Sequence, residues 1–290
     1  MAFRFKRRES IAAAFARIAA EQIDDAVAAL EKPSAAGVHS ARIFIKRLRG
    51  LLRLFCGALP EGSFDRENEA LRTAARQLSS QRDAQVRLAG FDALSRGIKT
   101  PGVAQARRHF LAACRASAPA HRTAAPYQAT ITVLRAAGAR LPGLKPDSRW
   151  SVLSRGLKAT YRRARQACAT ARAELSTSAL HTWRRRSKEF EFQMRLLRKI
   201  DPLVMKRRLR QAALVTDLLG VDHDLAVLER TLAAVRELPS ELREKLGARI
   251  ARRRKKLQRT AFKLGSELFF EKPSVVVKEL GRQWKSWRRG

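Results

Sequence analysis

The chain has 290 residues, 45% of them apolar, and carries 61 Lys and Arg against 26 Asp and Glu, a formal net charge of +35. That length and apolar share exclude a disordered chain and provide a sizeable core in one large or two small domains. No run of about 18 apolar residues is present to span a membrane, and the charge far exceeds what solubility requires, so an anionic partner is expected: nucleic acid, phosphate polymer or acidic membrane surface.

The N-terminal "MAFRFKRRESIAAAFARIAAEQ" holds cations and then an apolar stretch interrupted by Arg17 and Glu21. It reads as the start of an amphipathic helix, not as an export signal. Ala, Leu, Arg, Glu and Gln dominate the rest of the chain and β-branched alternation is scarce, which predicts an all-α chain. Breakers fall at 31–37, 59–63, 95–102, 117–119, 140–148, 174–178, 199–202, 237–240 and 271–274. They leave segments of about 15–30 residues, a normal size for helices of a bundle.

The segment "VHSARIFIKRLRGLLRLF" (38–55) is amphipathic with one purely cationic side. At about 100° per residue, His39, Arg42, Lys46, Arg49 and Arg53 share a sector of about 80°, with Phe44, Leu48, Leu51, Leu52 and Phe55 opposite. The helix that opens the second half repeats the spacing with Arg155, Lys158, Arg162 and Arg165, then Arg172 after a gap at Ala169. A second histidine-bearing helix carries His181, Arg184, Lys188 and Arg195, with Glu191 interrupting the column and Arg186 at the angle that Phe44 holds in the first. The long basic helix near the C-terminus adds Arg249, Arg252, Lys256, Arg259 and Lys263. The tail 271–290, with Trp284 and Trp287 among cations, reads as a short helix docking on the bundle, a membrane-surface or partner-binding tail being the alternative.

These segments match across the "LPGLKPDS" divide. His39 and His181, Arg42 and Arg184, and Lys46 and Lys188 are each 142 residues apart, and "LSSQRDAQV" lies over "LLGVDHDLAV" at an offset of 141. Two landmarks at nearly one offset predict a duplicated unit: helix, histidine-bearing helix, helix, Asp-started helix, long basic helix. Asp83 and Asp224 read as N-caps or partners of the basic helices, and "DHD" (222–224) as a cap plus solvated side chains, not a metal site.

Like charges at i, i+3 and i, i+4 destabilise a helix, so several acid-free columns make sense when an external polyanion neutralises them. Arg suits phosphate oxygens with its planar fork and Lys supplies a mobile point charge. The paired histidines either donate to a bound anion, charging as it binds, or hold a neighbouring helix start. Cys56, Cys114 and Cys168 read as reduced thiols in a cytosolic protein. No P-loop, HExxH or GxSxG occurs and no acid pair suggests acid/base chemistry, so neither catalysis nor a cofactor nor a metal is expected. A nucleic-acid binder would also explain the charge, but no aromatic platform interleaves with the columns.

These residues resemble the CHAD family, the conserved histidine α-helical domain, whose pattern is a His-x-x-Arg-x-x-x-Lys/Arg helix in each of two repeats, each followed by a Leu-Gly-x-x-Arg/Asn-Asp landmark. Here "HSARIFIKRLR" precedes "LSSQRD" and "HTWRRRSKEFEF" precedes "LGVDHD". The resemblance implies one domain over 5–270, with repeats at about 5–143 and 147–270, as two pseudo-symmetric helical bundles around a basic groove or pore. It implies binding of inorganic polyphosphate at cytoplasmic granules, with any nucleic-acid binding weak and non-specific. The implied contacts are His39, Arg42, Lys46 and Arg49, with His181, Arg184 and Lys188; periodicity alone extends them to Arg53, Arg195, Arg252, Lys256, Arg259 and Lys263. Glu191 in place of Arg49, and Ser79 in place of the landmark glycine, are the departures. The Glu-x-Glu-x-Lys strand of the triphosphate-tunnel domain to which many members are fused is missing, so a stand-alone binding module is expected.

Overall fold

A computed structural model describes residues 3–31, 34–78, 80–98, 102–116 and 125–290, and among them every regular element is helical. In chain order these are α1 (Ile11–Glu31), α2 (Ala35–Phe55), α3 (Ser63–Gln77), α4 (Ser80–Ser95), α5 (Val103–Ala116), α6 (Ala125–Arg140), α7 (Trp150–Glu174), α8 (Thr177–Leu196), α9 (Pro202–Ala234), α10 (Ser240–Leu268) and α11 (Pro273–Arg289). A 3₁₀ turn, Leu141–Leu144, occupies the divide between the halves. The breakers at 117–119 lie outside the described residues, as do Ser79 and the side chain of Asp83.

The two histidine-bearing helices start alike. Ser34 caps α2 by accepting from the Gly37 amide at 3.0 Å, and Ser176 caps α8 by accepting from the Ala179 amide at 3.1 Å. Each hydroxyl satisfies one of the amides that a helix start leaves without a partner, and the two serines stand at the same 142-residue offset as the histidines.

The offset then meets a difference. After Leu78 the first half breaks and restarts as α4 at Ser80, whereas α9 runs 33 residues straight through Leu219 and Gly220. Asp224 therefore sits deep inside α9 and is not its N-cap; that cap is Asp201, which accepts from the Val204 amide at 3.1 Å. The expected third and fourth helices of the second unit are one rod, because "LLGVDHD" contains no residue that stops a helix apart from a tolerated glycine.

Apolar side chains assemble into two cores. The larger joins α1, α2, α3, α6, α7, α8, the first part of α9, the end of α10 and α11. The smaller is built by Phe91 and Leu94 of α4, Phe110 and Cys114 of α5, Leu225–Leu232 of α9 and Leu242–Ile250 of α10. At 33 and 29 residues, α9 and α10 are long enough, about 50 and 44 Å at 1.5 Å per residue, to serve both cores. The tail docks: α11 buries Val276, Val277, Leu280 and Trp284, and the Trp284 ring lies 5.4 Å from Trp150 and 5.5 Å from Phe5.

A candidate polyanion site at the crossing of α2 and α8

The cationic sides of α2 and α8 face each other. At about 100° per residue, Gly50 falls beside the His39–Arg53 column, and it is there that α8 crosses. A Cβ on Gly50 would lie 3.0 Å from that of Phe192. Gly50 and Phe192 are themselves 142 residues apart, so the two helices meet at matching positions, as in an isologous contact between identical surfaces.

Two like-charged columns crossing at matching points would repel each other. The second helix carries carboxylates at 189 and 191, the positions that correspond to Arg47 and Arg49. Glu189 accepts from Arg186 at 3.2 Å and pairs with Arg53 across the crossing at 3.2 Å. Glu191, 0% exposed, accepts from Lys188 at 2.7 Å, from Arg195 at 3.0 Å and from the Thr216 hydroxyl at 2.8 Å. Burial alone would raise the Glu191 pKa, but the Lys188 charge and the hydrogen bonds from Lys188, Thr216 and Arg195 hold it below the usual carboxylate range. The interruption seen in the sequence is thus an internal counter-ion.

Cations still outnumber these acids. Arg49 donates to Asn68 Oδ1 at 3.0 Å, and burial first, then Arg53, Arg72 and Arg185, weigh against its charged form. Arg163 of α7 is destabilised by burial and then by Arg53 and Arg186, with Glu189 opposing, and its buried Nε has no hydrogen-bond partner among the described residues. On the other side of the crossing, burial and the Arg195 and Arg198 charges act on Arg47, which lies over the rings of Phe3 and Phe44, both at 5.6 Å. Arg47, Arg72, Arg163, Arg185 and Arg186 belong to this constellation and were not among the expected contacts: they lie off the columns, and only the crossing of helices brings them to it. Arg198 follows Arg195 on the α8 column.

The arginines expected as first contacts have structural ties as well. Arg42 Nη1 donates to the Leu78 carbonyl at 3.0 Å, where α3 ends. Arg184 lies against Gly220, where a Cβ would stand 3.3 Å from its Nε and Nη2. Both matched arginines therefore reach the matched landmark, one of them in close contact with Gly220. The Arg184 Nε is buried without a hydrogen-bond partner among the described residues, as is His181 Nδ1. The His181 ring is 4.4 Å from that of His223, and burial, then His223, Arg184 and Arg185, lower its pKa. His39 is half-buried on α2, and Lys46 is exposed one turn after Arg42.

Of the acids of "DHD", Asp224 is exposed but Asp222 is not solvated: it is 2% exposed and accepts from Arg254 Nε at 3.1 Å and Gln258 Nε2 at 2.8 Å, tying α9 to α10. Arg254 projects inward from α10, whereas Arg252, Lys256, Arg259 and Lys263 are exposed on the opposite side of that helix from Ile250, Ala261 and Gly265. These four do not join the α2–α8 constellation. Among the described residues no group of three His, Cys, Asp or Glu side chains could hold a metal ion, and no helix is long and apolar enough to cross a membrane.

The CHAD domain family matches residues 9–233 of the chain. The fold is similar to the crystal structure of the CHAD domain from the plant Ricinus communis, at a TM-score of 0.67 and 20% identity over 90% of this chain and 94% of that one. It is also similar to PptA from Streptomyces chartreusis, at a TM-score of 0.66 and 15% identity over 89% of this chain and 100% of that one. No curated protein matches.

Proposed function

The chain belongs to the CHAD domain family, and from that premise we propose that it binds inorganic polyphosphate, without catalysis, at the crossing of α2 and α8. The observation that supports this is the meeting of two cationic helix sides at Gly50 and Phe192, with more guanidinium groups around them than Glu189 and Glu191 neutralise. A phosphate chain supplies the missing negative charge at closely spaced oxygens, which arginine forks and lysines accept in any register. On this reading the matched helices come from a duplication, each repeat contributing one column. Attachment to polyphosphate granules in the cytoplasm belongs to the same reading.

Competition tests it. Long-chain polyphosphate should displace labelled single-stranded nucleic acid at a far lower phosphate concentration than nucleic acid needs to displace polyphosphate. Equal competition would leave a generic polycation. The K46E/R185E variant, which alters one exposed cation on each helix, should weaken polyphosphate binding at least tenfold with helix content unchanged; full retention of affinity would place the site elsewhere.

A further inference from the structure

The cation columns of α7 and α10 are exposed along their length. Lys158, Arg162 and Arg165 on α7, and Arg252, Lys256, Arg259 and Lys263 on α10, are all exposed, and none pairs with a carboxylate among the described residues. Neither helix places an acid between Trp150 and Arg172 or between Arg249 and Ser266; Glu174 and Glu267 stand just beyond.

The two helices run antiparallel where they touch. Tyr161 Oη donates to the Leu268 and Glu271 carbonyls, Gly265 lies against Cys168, and Arg172 Nη2 donates to the Phe262 carbonyl at 3.1 Å and Ser266 Oγ at 2.6 Å. Seen along its own N-to-C direction, each column is rotated in the same sense from the side that touches the other helix, by about 80° on α7 and about 125° on α10. Antiparallel pairing turns equal senses of rotation into one shared side. The two columns therefore lie on a single outer face, joined where Arg172 fastens α7 to α10. The overlap is short, so they run end to end for about 40 Å, with about one charge per 5 Å turn. Arg163, which belongs to the α2–α8 site, lies about 130° around α7 from this face.

We propose that this shared face of α7 and α10 is a second polyphosphate-binding track, separate from the α2–α8 crossing, so that one protein molecule holds two stretches of polyanion. It rests on the polyphosphate reading of the crossing and adds valency to it. Two sites on one molecule join separate stretches of a long polymer, and several molecules then cross-link chains into a condensed phase.

The test is the number of short oligophosphates bound per protein chain by titration calorimetry, with light scattering on long-chain polyphosphate in parallel. The wild type should bind two and scatter. The R252E/K256E/R259E/K263E variant should bind one and lose the scattering. K206E/R207E/R210E/K278E, an equal change of charge outside both helices, should keep two. Circular dichroism checks folding, and R162E/R165E on α7 repeats the test where the first variant is unfolded. A wild type that binds one oligophosphate, or a track variant that still binds two, overturns the second track while leaving the first site standing. A wild type that binds none overturns the polyphosphate reading itself. Loss of binding to phosphatidylserine vesicles by a track variant that keeps both oligophosphates overturns the proposal in favour of a membrane surface.

Discussion

Glu191 shows how a residue's meaning depends on what lies across from it. Along α8 it spoils a column; in the fold it is the buried acceptor of Lys188, Arg195 and Thr216. Glu191→Gln should lower stability by about 1–3 kcal/mol in urea unfolding, the usual cost of leaving buried donors poorly matched, while freeing two cations and tightening polyphosphate binding. With its folded pKa below the ordinary 4.5, the carboxylate stabilises fully above that pH, and the contribution is lost as pH falls through the folded value. E191Q should therefore flatten the acid limb of the stability curve, and an unchanged limb would count against it. His181 has the opposite chemistry. Burial, then His223, Arg184 and Arg185, lower its pKa from 6.5, so its contribution to stability is present above about 6.5 and is lost as pH falls through the folded value. A polyanion bound at the proposed site should reverse the field and favour the charged form. Calorimetry near pH 6 in buffers of different ionisation enthalpy should show proton uptake on binding, reduced in H181Q; equal uptake would remove the histidine from the site. The cations were legible in the sequence because helical period alone places them. Their counter-ions were not: Arg53 and Glu189 are neighbours only through the crossing.

At the scale of elements, close approaches at glycine set the geometry. Gly50 admits Phe192, and Gly156 admits the Leu54 carbonyl, which a Cβ would meet at 1.9 Å. Backbone cannot swing aside as a side chain can, so Gly156→Ala should cost more than the roughly 1–3 kcal/mol of ordinary overpacking, read as a drop in Tm. Gly50→Leu should push α2 from α8 and lower affinity at least tenfold while circular dichroism stays helical; unchanged affinity would separate binding from the crossing. The helix starts at Ser34 and Ser176 were visible as breaker clusters, since capping is local. The continuity of α9 was not, because the same landmark ends a helix in one half and passes through it in the other, and packing rather than propensity decides a marginal stop.

Over the whole molecule, two cores share the long helices α9 and α10, and α11 closes the larger one. Trp284, 5% exposed between Phe5 and Trp150, should cost about 3–5 kcal/mol on replacement by Ala, measured by denaturant unfolding; a near-neutral W284A would mean that the tail is dispensable. With a net charge of +35, the proposed polyphosphate binding should be strongly salt-dependent. By analogy with single-stranded nucleic acid, about eight phosphate contacts give a log–log slope near −6, and K46E/R185E should flatten it. By itself, the sequence determined that the chain is helical, that its cations form columns and that two histidine helices match, and its charge raised the expectation of an anionic partner. These come from composition and from a period of 3.6 residues, both properties of the chain alone. Only the tertiary structure decided that the columns of α2 and α8 face each other over two internal carboxylates while those of α7 and α10 face outward. Which side of a helix is buried is fixed by apolar contacts with elements far away in the chain, and that choice settles whether a cation meets a protein acid or an incoming anion.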